Sequence, residues 1–237
     1  MRHAPSHLRP ERNLSAEPRA KLYTRSTLNA GGLFKGSPRA LGLTRAVIVT
    51  GSANGTDNRI TLDALQHMKG NFKGLALLDP AITDAELSKL KDGGFTGFRV
   101  KAEWQEAACH SKRPGEWIAR TAGFGWHVEF MSQSMAEVIG AVPYLHSLKV
   151  PYVFDHVAHA EPHQNKNDRE FGALLAILRN EEHSWINLYS FYQLSEAGSP
   201  DYADMIGVVR EIIDAAPDRV IWGSNWPHAG CRRTDAQ

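Results

Sequence analysis

The chain has 237 residues, 42% of them hydrophobic, with 27 Lys/Arg against 26 Asp/Glu and a net charge of +1. That length can bury one large core or two small ones, and the near-neutral balance gives no reason to expect nucleic acid as a partner. Two cysteines, Cys109 and Cys231, make neither a disulfide framework nor a thiolate metal cluster. No apolar run approaches the ~18 residues that span a bilayer, and the N-terminus lacks the apolar core of a signal peptide, so a cytoplasmic setting without membrane contact is expected.

Charge is unevenly placed. Residues 1–46 hold nine Arg/Lys against Glu11 and Glu17, leaving 18 basic and 24 acidic residues in the remainder. Residues 1–38 have neither helical nor strand periodicity and carry Pro5, Pro10, Pro18 and Pro38. They read as an irregular basic N-terminal segment: a floppy tail first, then a targeting peptide or an Arg-lined phosphate site. Residues 39–237 are read as one barrel domain.

From Ala46 the texture changes. Residues 46–50 (AVIVT) predict a strand closed by the loop GSANG. Thr56 or Asp57 caps a predicted helix with Ile60, Leu62, Leu65 and Met68. Residues 74–78 are a second strand, and Thr83 or Asp84 opens a helix stopped by Gly93-Gly94. Strands follow at 95–100, 125–131, 152–156, 185–190 and 220–223, the last read as fully buried. Helices are expected at 114–121, 135–148, 170–180 and 202–216, the one at 170–180 packing through Phe171, Leu174, Leu175 and Leu178. Seven strands alternate with six helices through polar loops, which implies a parallel α/β sheet. No glycine-rich dinucleotide fingerprint follows the first strand, and this favours a (β/α)8 barrel over a nucleotide-binding doubly wound sheet.

Each strand ends in a polar residue: Ser52, Asp79, Arg99, Glu129, His156, Tyr189 and Asn225. A barrel collects such ends on its catalytic face. Alternation sends Trp126, Val128 and Phe130 toward the helices and His127 and Glu129 inward. Arg99 shares a side with Gly97, Asn225 with Gly223, and Asn187 with Tyr189, so small neighbours leave room at the centre. Imidazole, carboxylate, guanidinium, phenol and amide converging there would suit water-driven attack on a carbonyl compound. Taken singly, each of these is as readily a satisfied structural group. His156, His159 and His163 have metal-like spacing, but they follow a strand end and precede or flank Pro162, so a separate metal site is not expected. The stretch 220–228, VIWGSNWPH, turns outward before Pro227 and reads as the rim of the site.

The stretches IVTGSANGTDN (48–58), GFTGFRV (94–100), GWHVEF (125–130), VFDHVAH (153–159) and VIWGSNWPH (220–228) resemble, in order and spacing, the amidohydrolase superfamily. The branch they look most like contains 2-pyrone-4,6-dicarboxylate lactonase and related sugar and muconate lactonases. The resemblance implies a (β/α)8 barrel and hydrolysis of a small carboxylated lactone by activated water. His156 matches the middle-strand histidine, and Asn225 sits where the family's aspartate acts on water; these two are the expected catalytic positions. Ser52, Arg99, His127, Glu129, His159, Tyr189 and Gln193 are the expected substrate-binding residues.

Departures from the pattern run through the resemblance. No HxH strand precedes Ala46, since His3 and His7 lie four apart beside proline, and no last helix is evident, so the barrel is expected to be incomplete. Wrongly bounded or out-of-frame translation would account for residues 1–38 and 229–237. Gln193 and His159 stand at positions of expected arginines, and Asn187 at that of a lysine. The cofactor is accordingly either none or a divalent metal such as zinc. The expected partner is a small-molecule substrate, with a homo-oligomer left open. The alternative reading is a catalytically impaired barrel that binds a ligand or partner.

Overall fold

The computed structural model describes residues 43–68, 71–79, 81–101, 120–147, 149–226 and 228. The expected irregular segment 1–38, the residues 229–237 and nearly all of the expected helix at 114–121 lie outside them. The described residues gather into two compact units, one reaching to Arg99 and including Gly123–Trp126, the other formed by Val100 onward without those four.

In the first unit β1 (Ala46–Val49), β2 (Phe72–Leu77) and β3 (Phe95–Lys101, whose first five residues belong here) run parallel in chain order. Their β-branched and aromatic residues suit a pleated, covered surface. Between the strands come α1 (Arg59–Met68) and α2 (Asp84–Asp92). Helix α2 starts on a capping box: Thr83 Oγ1 accepts from the Glu86 amide at 3.3 Å, and the Glu86 carboxylate accepts from the Thr83 amide at 2.8 Å. Donation from the Thr83 hydroxyl at 2.7 Å, and then from the Thr83 amide, holds the Glu86 carboxyl below its ordinary range. Gly94, at φ +97°, then turns the chain into β3.

A buried knot sets the loop after β1. Asn58 accepts from the Leu77 amide at 3.0 Å and from Thr50 Oγ1 at 2.9 Å, and donates to the Leu77 carbonyl at 2.8 Å. One side chain thus ties the end of β1 to the end of β2. The loop it anchors carries Ser52 in a single 3₁₀ turn, Ser52–Asn54.

The second unit holds β4 (His127–Met131), β5 (Tyr152–Phe154), β6 (Ser184–Leu188) and β7 (Val220–Trp222), again parallel and in chain order. Helices α3 (Met135–Ser147) and α4 (Arg169–Asn180) connect the first three strands. Helix α4 buries Phe171, Leu174, Leu175 and Leu178, the stripe expected from its periodicity. Arg219 closes the base of this unit, its guanidinium donating to the carbonyls of Leu178, Glu181 and Ser184 at 2.5, 2.7 and 2.9 Å. Beside it Tyr152 is buried, which pushes its phenol up to about 12.

Three sequence expectations need correction here. The helix expected at 202–216 is divided: Tyr202 is left-handed (φ +44°), a 3₁₀ turn spans Ala203–Met205, and α6 (Ile206–Ala215) follows the short α5 (Phe191–Leu194). The reason is Asp204, whose carboxylate accepts from Ser195 Oγ and from the Glu196 and Ala197 amides, holding this stretch in a loop. Strand β5 stops at Phe154, before His156. Strand β7, expected to be fully buried, leaves Trp222 58% exposed and Ile221 39%. Among the described residues β7 is hydrogen-bonded along one side, to β6, and its other edge stays bare.

Candidate active site

Polar residues converge at the C-terminal ends of β4, β5 and β6, within the second unit. Glu129 on β4 and Asn187 on β6 are both buried. The Asn187 amide nitrogen lies 3.2 Å from Glu129 Oε2, 3.3 Å from Asp155 Oδ1 and 3.2 Å from the Tyr189 hydroxyl. Residues 187 and 189 therefore share a face, as strand alternation requires. The Tyr189 hydroxyl donates to Asp155 Oδ1 in its turn. Room for that phenol comes from β7's end: a Cβ on Gly223 would lie 2.5 Å from Tyr189 Cδ1.

The chain after β5 is unusual. Asp155 is extended and caps a turn spanning His156–His159, in which all four residues have φ between +50° and +57°. A non-glycine residue there costs roughly 1–2 kcal/mol, and for β-branched Val157 the conformation is an outlier. Strain of this kind persists where the surroundings over-determine it, often at functional sites. Val157 and Ala158 are fully buried and anchor the turn. Its effect is geometric: in extended backbone residues 155 and 156 would point to opposite sides, but here the His156 ring folds back so that Nδ1 lies 2.9 Å from Asp155 Oδ2. The Asp155 carboxylate is fully buried, while His156 keeps 15% of its side chain exposed.

The Tyr189 ring meets His156 edge-on, with centroids 5.2 Å apart and planes at 80°. His159 lies 6.1 Å from His156 ring to ring, and its Nε2 donates to the Ser132 carbonyl at 2.9 Å. Burial, with His156 as second cause, holds the His159 imidazole below its ordinary value of 6.5, against the pull of that carbonyl. His159 is thus a neutral ring with its Nε2–H committed.

Asn225 belongs to a second cluster of the same unit. Its amide donates to Ser190 Oγ at 2.5 Å and to the Tyr192 hydroxyl at 3.0 Å, and Gln193 Nε2 reaches that same hydroxyl at 3.2 Å. Asn225 is itself left-handed, φ +49°, a conformation asparagine tolerates better than most residues. Of the expected site residues, Glu129, His156, His159 and Tyr189 are therefore gathered around Asp155 and Asn187, and Asn225 and Gln193 around Tyr192. His127 is half-buried on β4. Ser52 and Arg99 belong to the first unit, Arg99 buried near the end of β3. Sequence reasoning passed over Asp155, Ser190 and Tyr192. Asp155 was within reach as the first letter of the DH pair, had the turn been foreseen.

Among the described residues no group of three or more His, Cys, Asp or Glu is gathered for a metal ion. The divalent metal that the resemblance allows has no ligand set among the described residues.

The family model described as Amidohydrolase (Amidohydro_2) matches residues 7–237. This chain belongs to the amidohydrolase family. Among its amidohydrolase relatives, a 4-sulfomuconolactone hydrolase of Hydrogenophaga intermedia is 30% identical over 196 residues, covering 81% of this chain and 63% of that protein. A 2-pyrone-4,6-dicarboxylate hydrolase of Comamonas testosteroni is 29% identical, covering 79% and 64%. The chain thus spans a little under two thirds of the length of these two relatives. A crystallised Acinetobacter baumannii protein shares the fold at a TM-score of 0.72 and 23% identity, over 90% of this chain and 79% of that one. The fold is accordingly the amidohydrolase (β/α)8 barrel, with seven of its strands among the described residues.

Proposed function

We propose that the chain hydrolyses a small anionic lactone, water adding to the ring ester and opening it. The observation that carries this reading is the ordered cluster of Glu129, Asp155, His156, Asn187 and Tyr189 at three neighbouring strand ends, the face on which barrel enzymes do chemistry. Two relatives named as hydrolases of sulfonated or carboxylated lactones support it. In this reading His156 and the region of Asn225 act on water. Ser52, Arg99, His127, Glu129, His159, Tyr189 and Gln193 bind the substrate, with Arg99 the natural partner for its carboxylate or sulfonate. The barrel domain at 39–237 carries the activity, in the cytoplasm. Ultraviolet-monitored ring opening of unsubstituted, carboxylated and sulfonated lactones tests it: an anionic member of the panel should be turned over, and turnover of none rejects the reading.

The impaired-barrel alternative has one observation in its favour, the asparagine at 225, an amide without a basic lone pair near neutral pH. Asn225→Asp distinguishes the two. Ser190 and Tyr192 can both rotate their hydroxyls to donate to a carboxylate, so the variant should fold with a stability change within about 1 kcal/mol. If the natural chain is inert across the panel and Asn225→Asp is active, the impaired barrel is the correct reading.

A further inference from the structure

We propose that Asp155 is a positioning residue that makes His156 the proton acceptor for water in this reaction; the proposal rests on the lactonase reading above. The Asp155 carboxylate is fully buried and its two oxygens have divided tasks. Oδ1 receives the His156 backbone amide at 3.0 Å, the Asn187 amide at 3.3 Å and the Tyr189 hydroxyl. Oδ2 lies 2.9 Å from His156 Nδ1, an ion-pair contact set off the line of the Nδ1–H bond. A carboxylate this close to Nδ1 favours the proton there through its negative charge, which leaves the lone pair on Nε2.

Three further features serve that arrangement. The left-handed turn is what lets neighbouring residues 155 and 156 face each other at all. The edge-on Tyr189 ring restricts rotation of the imidazole. Asn225, an amide engaged with two hydroxyls, offers no comparable acceptor.

The step balances without a co-reactant. His156 Nε2 takes a proton from water as the water oxygen bonds to the lactone carbonyl carbon, and the carbonyl π electrons move onto its oxygen. That pair returns to re-form C=O, the ring C–O bond breaks, and the departing alkoxide takes the proton back from Nε2. One water has been added across the ester and His156 is neutral again.

The test combines long-range ¹H–¹⁵N correlation spectra of the full chain with kinetics on the best lactone of the panel. His156 is assigned by its disappearance in His156→Gln. At pH 7.5 the natural chain should show His156 chiefly as the Nδ1–H tautomer. Asp155→Asn, isosteric but able to present an N–H to Nδ1, should move it to the Nε2–H form and lower kcat by on the order of 10²–10⁴-fold with KM little changed. An Nε2–H tautomer in the natural chain, or full kcat in a folded Asp155→Asn variant, overturns the proposal; the first of these needs no variant to fold. A chain with the Nδ1–H tautomer that opens no lactone overturns the lactonase reading and the acceptor role with it, while the Asp155–His156 placement stands.

Discussion

Side chains separate at this site by what already occupies them. His159 resembles a second catalytic imidazole in the sequence, yet its ring is half-buried, hydrogen-bonded to a carbonyl and held below 6.5 by burial and by His156. An imidazole whose folded pKa is depressed is easier to protonate in the unfolded chain. Its contribution to stability is therefore complete above about 6.5 and is lost as pH falls from there through the folded value. His159→Gln, which keeps a side-chain N–H for the Ser132 carbonyl, should flatten the loss of thermal stability between pH 7.5 and pH 5; an unchanged pH slope in calorimetry would remove His159 from the explanation. At this scale the sequence was only partly legible. His156, Glu129 and Tyr189 were marked because they are polar at strand ends. Asp155 was not, because strand alternation places it opposite His156, and only the left-handed turn reverses that.

At the scale of elements, packing decides which positions tolerate change. Gly223 ends β7 against the Tyr189 ring, and a Cβ there would overlap Cδ1 and Cε1 at 2.5 and 2.9 Å. Neither a backbone at a strand end nor a phenol tied to Asp155 can move freely. Gly223→Ala should therefore cost about 1–3 kcal/mol in urea unfolding and weaken lactone turnover by displacing Tyr189. Stability and turnover both unchanged would mean that the ring relaxes at no cost. The helix–strand alternation itself was legible, down to the buried stripe of α4, because amphipathic periodicity is imposed locally by the sheet beneath each helix. The division at Tyr202–Met205 was not, because it depends on Asp204 bonding back to residues 195–197, a contact that periodicity does not encode.

For the molecule as a whole, strand order and fold class were legible because seven strands alternating with helices admit few parallel topologies. The exposure of β7 was misjudged because VIW reads as a core strand whatever covers it. With Trp222 58% and Ile221 39% exposed on a strand that, among the described residues, is paired along one side only, self-association is expected at high concentration. Trp222→Gln should lower the concentration-dependent mass seen in light scattering with an unchanged far-ultraviolet spectrum; equal association by both proteins would place the sticky surface elsewhere. Among the described residues no helix is long and apolar enough to cross a membrane. The measurement that bears most directly on the whole is the rate of ring opening of carboxylated and sulfonated lactones by the purified chain beside His156→Ala. Turnover by the natural chain that falls at least ~100-fold in His156→Ala is the expected result. Equal turnover by the two proteins, or none by the natural chain, would contradict a lactonase built on His156.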